Sequence, residues 1–203
     1  MIQVNAKIQR GLNMALAKQI AYLSVEEYLK YEKDSPVKHE YVDGQLYAMA
    51  GGSAAHNRIA GNLFNRLDEH LAEDKCEPFI ADMKVYVSQT LFYYPDVFVA
   101  CDDPNPYYRR EPILVVEVTS PGTARIDRKE KLPAYQAMPS LQEILLIAQE
   151  QVQIEIFRRQ PNGDWQTEAL TELEEEFRLQ SVGLTLSVAQ VYRRVQFEEG
   201  GND

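Results

Sequence analysis

The chain has 203 residues, a length that favours one large domain over two. With 45% hydrophobic and 26% charged residues, its composition is that of an ordinary globular protein, not of a low-complexity chain. The formal net charge of −10 argues against a broad phosphate-binding surface, because nonspecific affinity for nucleic acids comes mainly from lysine and arginine. A small active site that holds cations remains compatible with this charge.

The termini and the cysteines indicate an intracellular chain. No apolar stretch is long enough to span a membrane, and the N-terminus lacks the continuous apolar run of a signal peptide. We predict an N-terminal extension over residues 1–20, a single domain over 21–196 and a flexible tail over 197–203. Cys76 and Cys101 lack CxxC spacing, so we expect reduced thiols and a cytoplasmic protein.

The first predicted elements are a short helix and a hairpin. Ser24 and Glu27 have the spacing of a capping box, which predicts a helix over about 25–32. Asp43-Gly44 separates two runs of alternating apolar residues, a pattern typical of a two-residue β-hairpin turn.

A longer helix is predicted next. Ser53 can cap its N-terminus, and the helix should extend over about 54–73. Apolar residues recur every four positions and give this helix one face that packs on a core. These residues are Ile59, Leu63, Leu67 and Leu71.

Strands are then predicted at 77–81, 84–88, 94–101 and 112–119. The last contains ILVVEV, which is apolar on both faces until Glu117 and is typical of a central strand covered on both sides. A helix is expected over about 124–138, with Pro133 as a point where it could break or kink.

The C-terminal part continues with strands and a closing helix. We predict strands at 143–148, 151–159 and 165–170, with a turn at 161–164 and a helix at 187–194. The acidic run Glu172–Glu176 is interpreted as a solvated loop or helix face. This order of elements predicts an α/β protein with one central mixed β-sheet flanked by helices.

Asp96 is the first candidate for chemistry. It follows Pro95 at the start of an apolar strand, and an acid entering such a strand must be paired, solvated or bound to metal. The structural alternative is an aspartate in a turn after proline, with no role in chemistry.

Glu117 is the second candidate. It follows the apolar residues Ile113–Val116 near the end of the predicted central strand. Burying a carboxylate costs several kcal/mol unless the charge is compensated. A metal can compensate it, and so can an arginine or lysine partner.

Taken together, the two acids favour a metal site. Asp96 and Glu117 come from strands expected to be neighbours, and two carboxylates converging at a strand end suit magnesium. A nearby lysine would stabilise charge on a phosphate or orient a water. Lys131 is the candidate on the following helix, and Lys129, two residues earlier, faces a different side.

These residues resemble the PD-(D/E)XK nuclease superfamily, the restriction endonuclease-like fold. Five segments also resemble motifs of the bacterial Uma-two family of restriction endonuclease-like proteins, and they occur in the family's order. The resemblance as a whole covers about residues 24–195. The segments are HEYVDG at 39–44, AHNRIA at 55–60, YPDV at 94–97, VEVTSP at 116–121 and DRKEK at 127–131.

The resemblance implies a restriction endonuclease-like domain with an added N-terminal helix and hairpin. It also implies Mg²⁺, with Mn²⁺ as a substitute, held by Asp96, Glu117 and the backbone carbonyl of Val118. The superfamily's lysine usually lies two residues after the second acid, where this chain has Thr119. The resemblance places the lysine instead at Lys131, on the next helix.

Four other residues are considered for the site. Glu40, before the Asp-Gly turn, is a candidate catalytic residue as an outer metal ligand, or else part of a salt bridge at a strand edge. His56, near the start of the long helix, could contact a phosphate or order a water, but such a residue more often packs or caps. His39 and His70 are interpreted as surface residues, without the spacing of a zinc site.

Aromatic and basic residues also occur together. Tyr93 and Tyr94 could stack on bases, and Tyr107-Tyr108-Arg109-Arg110 forms a local basic-aromatic patch. The alternative is an amphipathic loop that packs on its own domain.

The first functional hypothesis is a magnesium-dependent endonuclease that hydrolyses nucleic-acid phosphodiester bonds, with DNA favoured over RNA, and that works as a homodimer without a membrane partner. The alternative is a catalytically degenerate protein of the same fold that binds nucleic acid or protein. A third hypothesis is a hydrolase of smaller phosphodiesters.

Overall fold

The computed structural model describes residues 22–101 and 105–197. These residues fall into two compact units. The first runs up to Ala50 and includes Ser88–Phe92, and the second comprises Gly51–Val87 and the chain from Tyr93 onwards. The predicted extension over 1–20 and nearly all of the predicted tail lie outside the described residues, and the single-domain boundaries stay a prediction. No described helix is long and apolar enough to cross a membrane.

The first unit contains the predicted helix and hairpin. Helix α1 has the Ser24–Glu27 capping box and ends at the residue before Ser35, two residues later than predicted. Asp43 and Gly44 form the turn with φ of 47° and 87°, the left-handed geometry that a two-residue hairpin requires. The elements are α1 Val25–Asp34, β1 His39–Val42, β2 Gln45–Ala48 and β5 Leu91–Tyr93, with β1 paired to both β2 and β5.

The second unit is built on a six-stranded mixed sheet, as the α/β prediction requires. Its strand order is β11-β10-β9-β8-β6-β3, and only β8 and β9 are parallel. Its strands are β3 Glu77–Ile80, β6 Val97–Ala100, β8 Pro112–Thr119, β9 Glu143–Ala148, β10 Ile154–Arg159 and β11 Trp165–Leu170. Two further pairs are β4 Lys84–Ser88 with β7 Tyr108–Arg109 and β12 Glu176–Leu179 with β13 Leu184–Ser187.

Strand β8 is central, as its doubly apolar pattern predicts. It lies between β6 and β9, and its residues from Leu114 to Thr119 are all buried. One face of the sheet packs against helix α2, Ala54–His70, through the residues predicted from the four-residue spacing. That core includes Val116 and Val118 of β8, so Glu117 points to the opposite face.

The chain after β8 is helical but not one regular helix. It runs through α3 Ala124–Ile126, a π-helical turn Asp127–Lys131 and α4 Leu132–Gln136. In the π turn the N–H of Leu132 donates to the carbonyl of Asp127, five residues back. Pro133 is the second residue of α4 and follows the π turn directly, so the chain stays helical and its hydrogen-bond pattern changes just before the proline.

Several predicted boundaries were wrong. The strand expected over 94–101 begins only at Val97, because Pro95 interrupts it, and β10 begins three residues later than predicted. The strands β12 and β13 were not predicted, and Glu176 of the acidic run begins β12. The closing helix α5 covers only Val188–Val191, capped by Ser187.

The prediction of reduced thiols was also wrong. Cys76 and Cys101 form a disulfide that joins the residue before β3 to the residue after β6. The two strands are antiparallel with Glu77 opposite Ala100, so the cysteines face each other at the next position of the ladder. Their separation of 25 residues hides this register from the sequence.

Candidate active site

Asp96 and Glu117 meet because of the register between β6 and β8. Val97 pairs with Val116 in an antiparallel ladder, so the next position outward sets Asp96 opposite Glu117. The Oδ2 atom of Asp96 accepts a hydrogen bond of 2.7 Å from the backbone N–H of Val118. The first acid is thereby fixed to the strand that carries the second.

Glu117 is buried and held by the helical segment that follows β8. Only 3% of the residue is exposed, and its Oε1 atom accepts hydrogen bonds from the Lys131 ammonium at 3.3 Å and the Tyr135 hydroxyl at 2.7 Å. Lys131 and Tyr135 are four residues apart and therefore share one helix face. The sequence left open whether a metal or a basic side chain compensates the charge of Glu117. In the structure a lysine contacts Glu117, and it is the lysine that the motif resemblance selected.

Lys131 has further charged and aromatic neighbours. Its Nζ lies 3.8 Å from Oδ1 of Asp127, one π-helical turn earlier, and 5.4 Å from the centre of the Tyr93 ring. Lys131 and Asp127 are both buried, whereas Lys129 is exposed, so only Lys131 of the two candidate lysines faces the acids.

His56 also belongs to this cluster. Ser53 caps helix α2 and accepts from the backbone N–H of His56, which fixes the imidazole in the first helical turn. The Nε2 atom of His56 lies 2.8 Å from Oδ1 of Asp96. This hydrogen bond raises the pKa of His56, and burial of the ring opposes it; the charges of Asp96 and Asp127 raise the pKa further, while Lys131 lowers it.

The sequence predicted a possible role for His56 without including it among the site residues, and it predicted no role for Tyr135 or for Asp127, although Asp127 begins the DRKEK motif. The N-cap serine three residues before His56 was the available signal, because it predicts the orientation of the first turn. No comparable signal pointed to Asp127 or Tyr135, since their contact with the site depends on the π turn and on the path of the helix.

The charges of the cluster suit a divalent cation. Asp96, Glu117 and Asp127 supply three carboxylates, and Lys131 supplies one ammonium, so these side chains leave an excess of negative charge before His56 is counted. Among residues 22–101 and 105–197 no group of three or more His, Cys, Asp or Glu side chains is arranged around one metal position. Two carboxylates and a backbone carbonyl nevertheless fit Mg²⁺, which keeps several waters and usually takes only one or two carboxylates.

Glu40 lies in the other compact unit. It is half-buried on β1, opposite Tyr47 of β2. Its role as an outer ligand stays a prediction. His70 is exposed as predicted, but His39 is not a simple surface residue, because its Nδ1 lies 3.0 Å from a carboxylate oxygen of buried Glu32.

The basic-aromatic segment packs largely on its own unit. Arg109 is buried and contacts Glu77 at 3.3 Å, and the Arg110 guanidinium lies over the rings of Tyr86 and Tyr108. Tyr107 remains exposed. Tyr93 and Tyr94 are both buried, which favours the structural interpretation of these two tyrosines over base stacking.

Comparison with known proteins agrees with the motifs. The model of the Uma2 family, described as "Putative restriction endonuclease", matches residues 25–189. Two proteins of Synechocystis sp. (strain ATCC 27184 / PCC 6803 / Kazusa), both named as uncharacterized, are similar over most of their length. Protein slr1290 is 38% identical over 86% of this chain and 94% of its own, and sll1609 is 32% identical over 74% and 87%.

The fold is also similar to that of a solved structure. The crystal structure of a putative nuclease belonging to DUF820 from Anabaena variabilis ATCC 29413 matches with a TM-score of 0.68 at 16% identity. The match covers 84% of this chain and 97% of the other. The restriction endonuclease-like fold predicted from the motifs is thus confirmed, and the chain belongs to the Uma2 family, the Uma-two family to which its motifs pointed.

Proposed function

We propose that the chain is a magnesium-dependent endonuclease that hydrolyses phosphodiester bonds of DNA. The observation that carries the proposal is that Asp96 accepts a hydrogen bond from the backbone of Val118, next to Glu117, while the Lys131 ammonium lies 3.3 Å from Glu117. Membership of the Uma2 family supports a nuclease-like function. The metal and the choice of DNA are our inference from the carboxylate site and from the family's description.

Each residue of the cluster has a distinct part in this proposal. Asp96, Glu117 and the carbonyl of Val118 would hold Mg²⁺, which when bound polarises a phosphoryl oxygen and lowers the pKa of its water. Lys131 provides a positive charge where negative charge builds up on the phosphate. Tyr135 positions Glu117 through its 2.7 Å hydrogen bond.

His56 is proposed as a positioning residue. Its hydrogen bond to one oxygen of Asp96, together with the Val118 N–H on the other oxygen, fixes the orientation of the carboxylate. A carboxylate held on both oxygens loses little freedom when it binds a cation, and such preorganisation is what a catalytic metal site requires.

We further propose that the protein acts as a homodimer. Cutting both strands of a duplex with one site per chain calls for two copies related by a two-fold axis. Sedimentation of the purified protein with and without duplex DNA tests this point. A monomer in both conditions, combined with double-strand cleavage, would contradict it.

Matched variants test the metal site. Asp96→Asn and Glu117→Gln should each remove Mg²⁺-dependent cleavage of plasmid DNA, because a neutral amide is a poor ligand for a hard cation. Asp68→Asn on helix α2 and Glu130→Gln on the π turn change exposed acids and should cleave like the wild type. Circular dichroism confirms that every variant is folded.

The same proteins separate the alternatives. Calorimetry with Mg²⁺ should show binding to the wild type and none to Glu117→Gln. Folded wild-type protein that binds no Mg²⁺ would favour the degenerate binding protein. A parallel screen of DNA, RNA and small phosphodiesters identifies the substrate class, and cleavage that both site variants retain would overturn the proposed mechanism.

A further inference from the structure

A cavity of about 260 Å³ lies beside the candidate site in the second unit. Its floor includes Thr119 at the end of β8 and Leu146 of β9, and its other side includes Ala124 of α3 and Arg128 of the π turn. It is therefore an open cavity bordered by β8, the strand that carries Glu117, and by the helical segment that contacts Glu117.

The register of the sheet gives the relation between the cavity and Glu117. Glu117 of β8 pairs with Leu146 of β9, and Leu146 pairs with Glu155 of β10, so these three side chains form one row on one sheet face. Leu146 and Glu155 both line the cavity. Adjacent strands are about 4.8 Å apart, so the cavity begins within one strand spacing of the candidate metal ligand.

The lining combines apolar and hydrogen-bonding side chains. Gln149, Gln151 and Gln153 provide amides, and Ser120 adds a hydroxyl. The Gln149 carbonyl oxygen accepts from the Ser53 hydroxyl and Gln151 donates to Gln153, which leaves the amide nitrogens of Gln149 and Gln153 as donors for a ligand. Leu146 provides apolar surface. Amide and hydroxyl groups around an apolar floor match a nucleobase, which has apolar faces and a mixed donor–acceptor edge.

The charge distribution favours a base over a phosphate in this cavity. Arg128 is its only lining cation among the residues that the structure describes, and it forms an ion pair with Glu155. The net charge of −10 likewise leaves little electrostatic attraction for the backbone of a duplex. Recognition through a base would give affinity and position without many phosphate contacts.

We propose that this cavity binds one unpaired nucleobase next to the phosphodiester held at Asp96 and Glu117. The inference rests on the proposed nuclease function and makes it more specific. A base paired in a duplex cannot enter a cavity, so the favoured substrate is a single strand or a duplex with a bulged nucleotide, in which unstacking costs least.

Cleavage of three DNA substrates tests the proposal. Single-stranded DNA and a duplex with a one-nucleotide bulge should be cut about tenfold faster than the fully paired duplex, a ratio within the range of base-stacking energies. Ala124→Leu fills the cavity and should remove this preference, while Ala137→Leu, at an exposed position outside the lining, should keep it. Equal rates on all three substrates would overturn the proposal.

A binding measurement keeps the cavity separate from catalysis. Glu117→Gln protein is titrated into a short single strand that contains a fluorescent purine analogue, whose emission rises when the base leaves the stack. Emission should rise with Glu117→Gln and much less with the double variant that adds Gln151→Leu, an exposed cavity position where folding is not at risk.

The two experiments fail in different ways. A rise in emission without cleavage by the wild type supports the cavity and contradicts the nuclease function. Cleavage without a rise in emission supports the nuclease function and contradicts the cavity. An equal rise with and without Gln151→Leu, together with unchanged substrate preference in Ala124→Leu, also contradicts the cavity.

Discussion

Replacing Lys131 by methionine is the sharpest test of the buried pair it forms with Glu117. The two groups are 3.3 Å apart, and the residues are 9% and 3% exposed. At an effective dielectric constant of about 20, the Coulomb attraction at this distance is about 5 kcal/mol before desolvation is counted. Methionine keeps most of the side-chain volume and removes only the charge and its donors.

The loss of stability follows from the carboxylate that is left behind. Removing one partner of a buried ion pair costs about 3–5 kcal/mol, because the other charge stays buried and uncompensated. Tyr135 still donates to Glu117, so we expect Lys131→Met to lie near the lower end of that range. At this chain length the corresponding fall in Tm is about 10 °C.

Urea denaturation of a double-mutant cycle measures the coupling. The cycle comprises the wild type, Lys131→Met, Glu117→Gln and the double variant, all in EDTA. The double variant removes both charges and should be more stable than the sum of the single changes predicts, by at least about 1 kcal/mol. Lys129→Met, at an exposed position, should change stability by less than about 0.5 kcal/mol.

Magnesium extends the same test to function. Lys131→Met leaves the carboxylates in place, so Mg²⁺ should raise its Tm more than that of the wild type, while cleavage falls by about 10² to 10³. Additive free energies in the cycle would refute the pairing of Lys131 with Glu117. Cleavage at the wild-type rate by a folded Lys131→Met protein would refute the lysine's catalytic part.

Three further predictions concern neighbouring contacts. Because the hydrogen bond to Asp96 raises the pKa of His56, its stabilising effect is complete below the ordinary histidine pKa of about 6.5 and is lost as pH rises through the raised value. The stability difference between the wild type and His56→Gln, from urea denaturation in EDTA, should therefore shrink over that window, and a constant difference would contradict it. Tyr135→Phe should cost about 1.5–3 kcal/mol, since it removes a donor to the ionised Glu117, and thermal unfolding that is unchanged would argue against this bond. Reducing the disulfide that joins β3 to β6, whose cysteines are 25 residues apart, should lower stability by about 3 kcal/mol, and equal Tm values with and without reductant would show that the cross-link contributes nothing.

The sequence predicted the parts of the fold that depend on local chemistry. The Ser24–Glu27 capping box, the Ser53 N-cap, the Asp-Gly turn and the four-residue apolar spacing of helix α2 all depend on neighbouring residues, and the structure has them. The doubly apolar run before Glu117 predicted a central strand for the same reason. The Uma-two motifs then fixed the fold class, which local patterns alone left at a mixed sheet with helices.

Features that depend on long-range register were missed. Strands β12 and β13 do alternate apolar and polar residues, but each is only four residues long, and β12 begins inside the acidic run that was interpreted as a solvated loop or helix face. The disulfide depends on the alignment of β3 with β6, and the contact of His56 with Asp96 joins positions 40 residues apart. The disulfide and the His56–Asp96 contact require knowledge of which strands and helices are neighbours, and no short-range pattern contains it.

The sequence predicted only part of the candidate site. Two acids in apolar strands stood out because burial makes an unpaired carboxylate costly, and the family motif selected Lys131 over Lys129. The roles of these residues as metal ligands and charge stabiliser stay predictions. Asp127 escaped notice because an acid in a charged helical run is ordinarily solvated, whereas here the π turn buries it beside Lys131.

The π turn has a consequence for how this chain can tolerate a change in length. A π turn holds one residue more than an α-helical turn, so the segment from Asp127 to Lys131 contains a spare position. Deleting Lys129 would let the helix close into a regular α-helix without moving Lys131 or Tyr135. Asp127 would then lie three residues before Lys131, a spacing that still places both side chains on one helix face. A one-residue deletion at this turn should therefore keep Asp127 beside the ammonium that contacts Glu117.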